Sequence, residues 1–378
     1  MKIKLEKFNI CSFLFYFSYF LLLVCSFAHR VVYIAPYVSK IKFISMIIFL
    51  FVCFIQSKEY NRKKFLLILV SILLCFINFY ISDESTLLIL FLVVFSSKNV
   101  DLEDFIKKDI YFKLFITLFV ISMYYLGLTN YYDCYRDGVL RYSLGFNHPN
   151  ALGSIISSIV IEYLFLKKNK IKIIELVIVF LICLFIQRVT DSRTSILLIL
   201  IMLFYVIFSK KINTFMNYKV FQKVICWSWF IFSFMSFFSA YLYSLHTDIG
   251  LYLDDLFSTR LQWIVYFFEK YSINLFGNQL HLVSSEVAKL TGENSAILDN
   301  AYSRFLLQHG IVLFVYFGIL MRNTLKWAYS KLKFSLIFVL MVFIIKGLSE
   351  HSIYIISSNV FLIYFSRLFF EKKVGDLK

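Results

Sequence analysis

The sequence predicts an all-α, polytopic membrane protein, and three observations carry that prediction. The 378-residue chain is 60% hydrophobic and 20% aromatic, with a mean hydropathy of +0.78, whereas a soluble domain is nearer half apolar. Apolar runs of roughly 16 to 21 residues, the length of helix that crosses a bilayer, recur from end to end. The short alternating segments of a membrane barrel do not occur. Residues 1–378 therefore read as a single integral membrane domain with no room for a separate soluble one.

Taken in order, twelve spans are expected, at 9–28, 41–56, 65–82, 84–97, 110–127, 151–166, 173–189, 195–209, 224–244, 301–320, 334–349 and 353–369. The first follows a basic MKIKLEK start. It resembles a signal peptide but lacks a clear small-residue cleavage site, so it is read as a retained helix. The fourth is short, and the third and fourth form either a tight hairpin or one irregular element. Residues 1–127 read as scaffold: none of the 11 glycines precedes Gly127, and Pro36 and Pro149 are the only prolines. Residues 128–353 carry the irregular, polar segments.

The net charge of +16 would suggest nucleic acid for a soluble protein. Here it reflects topology, because cytoplasmic loops gather Lys and Arg. With the N-terminus inside and the spans alternating, the inner segments hold 27 of the 39 cations, including Lys210/Lys211/Lys219/Lys223 and Arg322/Lys326/Lys331/Lys333. Both termini are then cytoplasmic. Only 3 of those 27 are Arg, whereas 7 of the 12 outer cations are: Arg30, Arg136, Arg141, Arg188, Arg193, Arg260 and Arg304. Topology needs only positive charge. Arg is preferred where a planar fork must bind phosphate or carboxylate with two bonds at once. An outward-facing anion site is the expectation. Salt bridges to outer aspartates are the plainer explanation.

Three outer stretches carry the candidates. In the first, 128–150, Arg136 and Arg141 bracket Gly138, and Asn147-His148-Pro149-Asn150 opens an apolar helix whose N-terminus favours an anion. Asn147 or His148 is positioned to cap it. The second is the turn Thr190-Asp191-Ser192-Arg193-Thr194-Ser195, with Arg188 just inside the membrane end. There an Asp191–Arg188 or Asp191–Arg193 pair is the structural alternative to function. The third, 245–300, is too long for a passive connection. Leu253, Leu256, Phe257, Leu261, Ile264, Phe267 and Phe268 recur at helical spacing, which predicts an amphipathic helix on the membrane surface with Arg260 beside Trp263 at headgroup level. Asn300 and Arg304 lie one helical turn apart, next to Asp299. Ser349-Glu350-His351-Ser352 forms the last outer turn, and a Lys346–Glu350 pair is expected there. Glu162 and Glu175, near inner Lys residues, are expected to be paired or snorkelling. Six of the seven cysteines lie in apolar runs and Cys134 alone in a loop, so no outer disulfide is expected. No CxxC or His/Cys cluster points to a metal.

In this order the motifs resemble the O-antigen ligase/polymerase superfamily, and within it the Wzy-type repeat-unit polymerases. The resemblance runs from about Arg141 to Leu313. It rests on Arg141 with GFNHPNALG, on Ser192-Arg193, on Arg260 with Trp263 and then Asn274-Leu275-Phe276-Gly277, and on Asp299-Asn300 followed by nine residues and Gly310. The family's late pattern begins with His, or another polar residue, where this chain has Asp299, and Leu313 departs from its small or aromatic residue. Both departures count against the ligase branch.

The resemblance implies a cofactor-free, metal-independent, inverting glycosyl transfer on the outer face of a bacterial cell membrane. The growing glycan would move from undecaprenyl pyrophosphate to the non-reducing end of a lipid-linked repeat unit, as in capsule, exopolysaccharide or O-antigen assembly. Membrane lipids and, in the same pathway, a chain-length regulator and a flippase are the implied partners. Preorganised Arg suits a departing pyrophosphate, and Arg141, Arg193 and Arg260 are the first candidates, Arg136 the next. The acceptor hydroxyl calls for a base: Asp299 or His148, with Glu350 and His351 behind them. Asn147, Asn150, Arg188, Trp263, Asn300 and Arg304 are expected to bind substrate. Competing readings are a polysaccharide ligase of the same superfamily and a lipid-linked oligosaccharide flippase or transporter. Against a transporter, no repeated halves with matching broken helices are visible.

Overall fold

A computed structural model describes residues 10–57, 61–129, 133–136, 138–167, 171–257, 259–283, 288, 292 and 294–371. The residues at both termini, expected on the cytoplasmic side, lie outside the described residues. The chain is mostly helical. The helices are α1 Ile10–Phe27, α2 Val38–Ser57, α3 Arg62–Ser82, α4 Thr86–Ser96, α5 Leu102–Tyr125, α6 Pro149–Lys167, α7 Ile173–Val189, α8 Arg193–Met216, α9 Lys219–Cys226, α10 Ser228–Ser244, α11 Asp248–Leu256, α12 Arg260–Lys270, α13 Ala301–Ser330, α14 Phe334–Lys346 and α15 Ser366–Phe370. A short antiparallel hairpin, β1 Cys134–Arg136 and β2 Val139–Arg141, pairs Cys134 with Arg141. Among the described residues six helices are long and apolar enough to cross a membrane, or seven if α9 and α10, bent by 62°, count as one. This is the architecture of an all-α membrane protein. Large apolar side chains face outward along α2, α3, α7 and α8, among them Phe54, Leu66, Phe180 and Leu197, as a lipid-facing surface requires.

The helices begin and end where local chemistry dictates. Asp101 caps α5, accepting from Asp104 N at 2.8 Å, with Glu103 and Asp104 in the first turn. Pro149 starts α6, where its missing N–H costs nothing. Asn300 caps α13, accepting from Tyr302 N at 3.1 Å and Ser303 N at 3.0 Å.

Several expected spans take a different form. The fourth is the 11-residue α4, roughly half the length that spans a hydrocarbon core. Leu87 to Ser96 are all buried, because α4 packs among α1, α2, α3 and the segment Val360–Phe365. The last expected span is two 3-10 turns and the short α15 rather than one helix. α5 starts at Leu102, eight residues before the apolar run, and takes Asp109 and Lys113 into the bundle. The amphipathic helix expected across 253–268 is two helices. Thr259 adopts φ 63° and Asp254 Oδ1 accepts from Leu261 N at 2.7 Å and Gln262 N at 3.2 Å, so a second helix is capped and the chain turns. Leu261, Ile264 and Phe267 pack against Ala240, Leu298 and Leu307, so that face is covered by protein instead of lying on lipid.

The long loop is also stitched into α13. That helix is broken at Gly310, with φ 79° and ψ 170°. The backbone of 274–278 fills the break: Ile311 N donates to Asn274 O at 3.0 Å, Val312 N to Leu275 O at 3.2 Å, and Asn278 N to Leu307 O at 2.9 Å. The polar groups freed by the break are thereby satisfied. From α3, Asn78 Nδ2 donates to Phe276 O at 2.8 Å and Gln308 O at 3.2 Å. Helix 3 of the expected scaffold therefore clasps both strands of this crossing.

Candidate functional site

A cavity of about 540 Å³ opens where the ends of several elements meet. The end of α1 and the turn after it supply Ser26, His29 and Arg30; the start of α6 supplies Asn147, His148, Asn150, Ser154 and Ser158. Arg260 comes from the first turn of α12, Asp299 from the end of the long loop, Arg304 from the first turn of α13, and Glu350 and His351 from the turn after α14. These are the ends that the charge pattern assigns to one side of the membrane.

Asp299 lines the cavity near both Arg260 and His351. Its Oδ2 is 3.8 Å from Arg260 Nε, and its Oδ1 is 3.9 Å from His351 Nδ1, both beyond a hydrogen bond. Its side chain remains 38% exposed, open to the cavity. Burial raises its pKa above the ordinary carboxylate value, with the nearby Arg260 opposing and Glu350 adding to the rise. Arg260 is set by the Asp254-capped start of α12. Its Nη1 donates to Phe257 O at 3.2 Å, and its buried Nε has no hydrogen-bond acceptor among the described residues. Arg304 Nε donates to Gln308 Oε1 at 3.0 Å, which holds the guanidinium along α13.

Two of the three cavity histidines, His148 and His351, are kept neutral. His148 Nδ1 accepts from Asn150 N at 3.0 Å, so His148 is the residue that caps α6. Burial, then repulsion from Arg141, lowers its pKa to about 4. His351 is lowered by burial, then by Arg304 and Lys346. The expected Lys346–Glu350 pair is present at 3.0 Å, and Lys346 Nζ also donates to Ser154 Oγ at 2.8 Å. Lys346 is buried and so ties two cavity walls together.

The cavity thus gathers His148, Arg260, Asp299, Asn147, Asn150, Arg304, Glu350 and His351. Arg141, Arg193, Arg136, Arg188, Trp263 and Asn300 do not line it. The expectation that Arg141, Arg193 and Arg260 share one cavity needs correction, and the reasons are geometric. Arg141 is buried; its Nε donates to Thr190 O at 2.7 Å and its Nη2 to Asn150 Oδ1. Its fork closes the C-terminus of α7 and holds the start of α6, one residue behind the cavity surface. Arg193 opens α8 and is 66% exposed, 3.9 Å from Asp191, the pairing that the sequence offers as the structural alternative. Gly153 explains why this turn sits so close: a Cβ there would come within 2.6 Å of Ser192 Cβ. Asn300 is buried, its Nδ2 donating to Leu348 O at 3.0 Å. Trp263 packs, partly buried, on the small core beneath α12, and Arg188 is exposed on α7. Glu175 pairs with Lys167 as expected. Glu162 is paired too, with Lys113 on α5 instead of a neighbouring inner lysine.

Sequence reasoning missed His29 and the serines of α6, and gave Arg30 no role. The signal for Arg30 was present: it is one of the seven arginines expected on the outer side, directly after the first apolar run. Among the described residues no group of three or more His, Cys, Asp or Glu is placed to hold a metal ion. No family model, curated protein or solved structure matches the chain.

Proposed function

We propose that this protein is a membrane-embedded glycosyltransferase that polymerises lipid-linked oligosaccharide repeat units at the outer face of a bacterial cell membrane. The observation that carries the reading is Asp299. It is a carboxyl of raised pKa, open to a cavity and flanked by Arg260, whose buried Nε has no acceptor among the described residues. A base works best when its pKa approaches the operating pH. Burial moves Asp299 in that direction and moves His148 and His351 away from it, so Asp299 is assigned the proton of the acceptor hydroxyl. The acceptor oxygen then bonds to the anomeric carbon as the bond from that carbon to the pyrophosphate oxygen breaks. The charge that develops on the pyrophosphate is met by Arg260, Arg304 and Arg30, preorganised cations in a partly dehydrated cavity. Arg141 acts as a positioning residue through Asn150.

In this reading the chain crosses the membrane twelve times with both termini cytoplasmic. The long helices, the charged 24-residue α5, the bent α9/α10 pair and the shorter α4, α7, α14 and 360–370 segments make the crossings. The cavity then faces outward and the Lys-rich turns inward. Lipid-linked oligosaccharide is the substrate, and a chain-length regulator and a flippase are partners of the same pathway.

Asp299→Asn and Arg260→Lys test it. Each is expected to lower polymer formation at least tenfold, about 1.4 kcal/mol or more of transition-state stabilisation, with the protein still inserted. Cells without the protein are expected to accumulate single lipid-linked repeat units on the outer leaflet. Units held on the inner leaflet would instead make it a flippase, and normal polymer in both variants would remove the site assignment.

A further inference from the structure

A second polar cluster lies inside the bundle, apart from the cavity. It joins Tyr19 of α1, Asp109 and Lys113 of α5, and Glu162 of α6, all at most 1% exposed. Tyr19 Oη donates to Asp109 Oδ1 at 2.9 Å. Lys113 Nζ lies 2.7 Å from Asp109 Oδ2 and 2.6 Å from Glu162 Oε1. Ser154 and Ser158, one face of α6 above Glu162, line the cavity, so the cluster continues the polar side of that helix into the bundle.

Counting charge shows what the cluster lacks. Two carboxylates and one ammonium leave one uncompensated negative charge, and Tyr19 contributes only a neutral donor. Among the described residues, Lys113 is the cation that forms an ion pair with Asp109 and with Glu162, and no second cation completes the balance. An unpaired charge at such depth is costly, and ionisable groups there neutralise, pair or serve function. Glu162 Oε2 is buried and has no hydrogen-bond partner among the described residues. A bare carboxylate oxygen there is the worst case for an anion. A protonated one becomes a donor, and Asp109 stands within hydrogen-bonding reach of Glu162. An alkali cation is a poorer occupant, because the Lys113 ammonium already sits between the two carboxyl groups.

We propose that Asp109, Lys113 and Glu162 form a buried proton-binding site in which the two carboxyl groups share one proton at neutral pH, leaving the cluster uncharged. The site lies outside the cavity and is independent of the function proposed for it.

Infrared spectroscopy of the whole protein in lipid nanodiscs, in H₂O and D₂O at neutral pH, tests this by counting protons. The wild type is expected to show the carbonyl stretch of a protonated carboxyl, shifted in D₂O. Glu162→Gln and Asp109→Asn are each expected to lose it, because the single remaining carboxylate ionises as the partner of Lys113. Lys113→Met, which leaves two acids and no cation, is expected to raise it roughly twofold. No such band in the wild type, or an undiminished band in both carboxyl variants, overturns the proposal. So does a wild-type melting temperature that tracks sodium or potassium in place of the band, which would make the occupant a metal cation. Should Lys113→Met fail to fold, the two carboxyl variants decide.

Discussion

Asp299 and His148 share a wall-lined cavity and are tuned in opposite directions by the same cause. Burial disfavours the charged form, so an acid rises and an imidazole falls. The consequence for His148 is measurable. Its folded pKa of about 4 lies below the unfolded value of 6.5, so between those values the unfolded chain binds the proton and the folded one does not. Stability is expected to be level above pH 6.5 on this account and to fall as pH drops toward 4. Asp299, raised, contributes the opposite sign in its own window. His351, lowered, contributes the same sign as His148. The comparison is therefore wild type against His148→Gln, by melting temperature across that range in detergent. The variant should show a visibly shallower acid loss, and an unchanged slope would reject the burial of His148. At this scale the sequence was legible in part. His148, Arg260, Asp299 and Arg304 stood out as residues and do meet. Arg141 stood out equally, yet its fork is spent on Thr190 O and Asn150, because a guanidinium binds whichever acceptors the backbone presents first.

Among the elements, α13 and the long loop depend on each other. Gly277 and Gly310 have φ 92° and 79° and face one another: a Cβ on Gly277 would fall 2.1 Å from Gln308 O, and one on Gly310 would fall 2.4 Å from Gly277 N. Backbone on backbone leaves nothing flexible to move aside. Gly277→Ala or Gly310→Ala is expected to cost about 3 kcal/mol or more, through strain and overpacking together, and to lower both melting temperature and membrane yield. Wild-type melting in both would show that the crossing is looser than described. The motif spacing singles out both glycines separately, since Gly277 ends one motif and Gly310 closes the other. That they touch is not readable from spacing, because the 23 residues 278–300 and the first turns of α13 separate them and loop length alone fixes no path.

For the whole molecule, the proposed orientation makes a prediction of its own. With Cys134 replaced by Ser to remove a partly exposed thiol, Asn147→Cys and His351→Cys are expected to react with a membrane-impermeant maleimide from outside intact cells. Lys219→Cys, on the far side of the bundle in this reading, is expected to react only after permeabilisation. Labelling of both sets from one side would reverse or abolish the proposed topology. Among the described residues six to seven helices are long and apolar enough for crossing. The shorter ones are legible as apolar but not as short, because α4 and the segment Val360–Phe365 are apolar through burial in protein, and hydropathy reads burial in protein and in lipid alike.

The sequence by itself determined that the chain is a bundle of apolar helices and where its polar interruptions fall. Hydropathy and capping are local properties, carried by residues a few positions apart. Only the tertiary structure decided which of the seven arginines expected on the outer side reach a common cavity, that Arg30 joins them, and that Asp109 and Lys113 meet Glu162 inside the bundle. The direction of a side chain depends on the rotation of its helix and on what packs against it. Both are set by contacts between residues far apart in the chain.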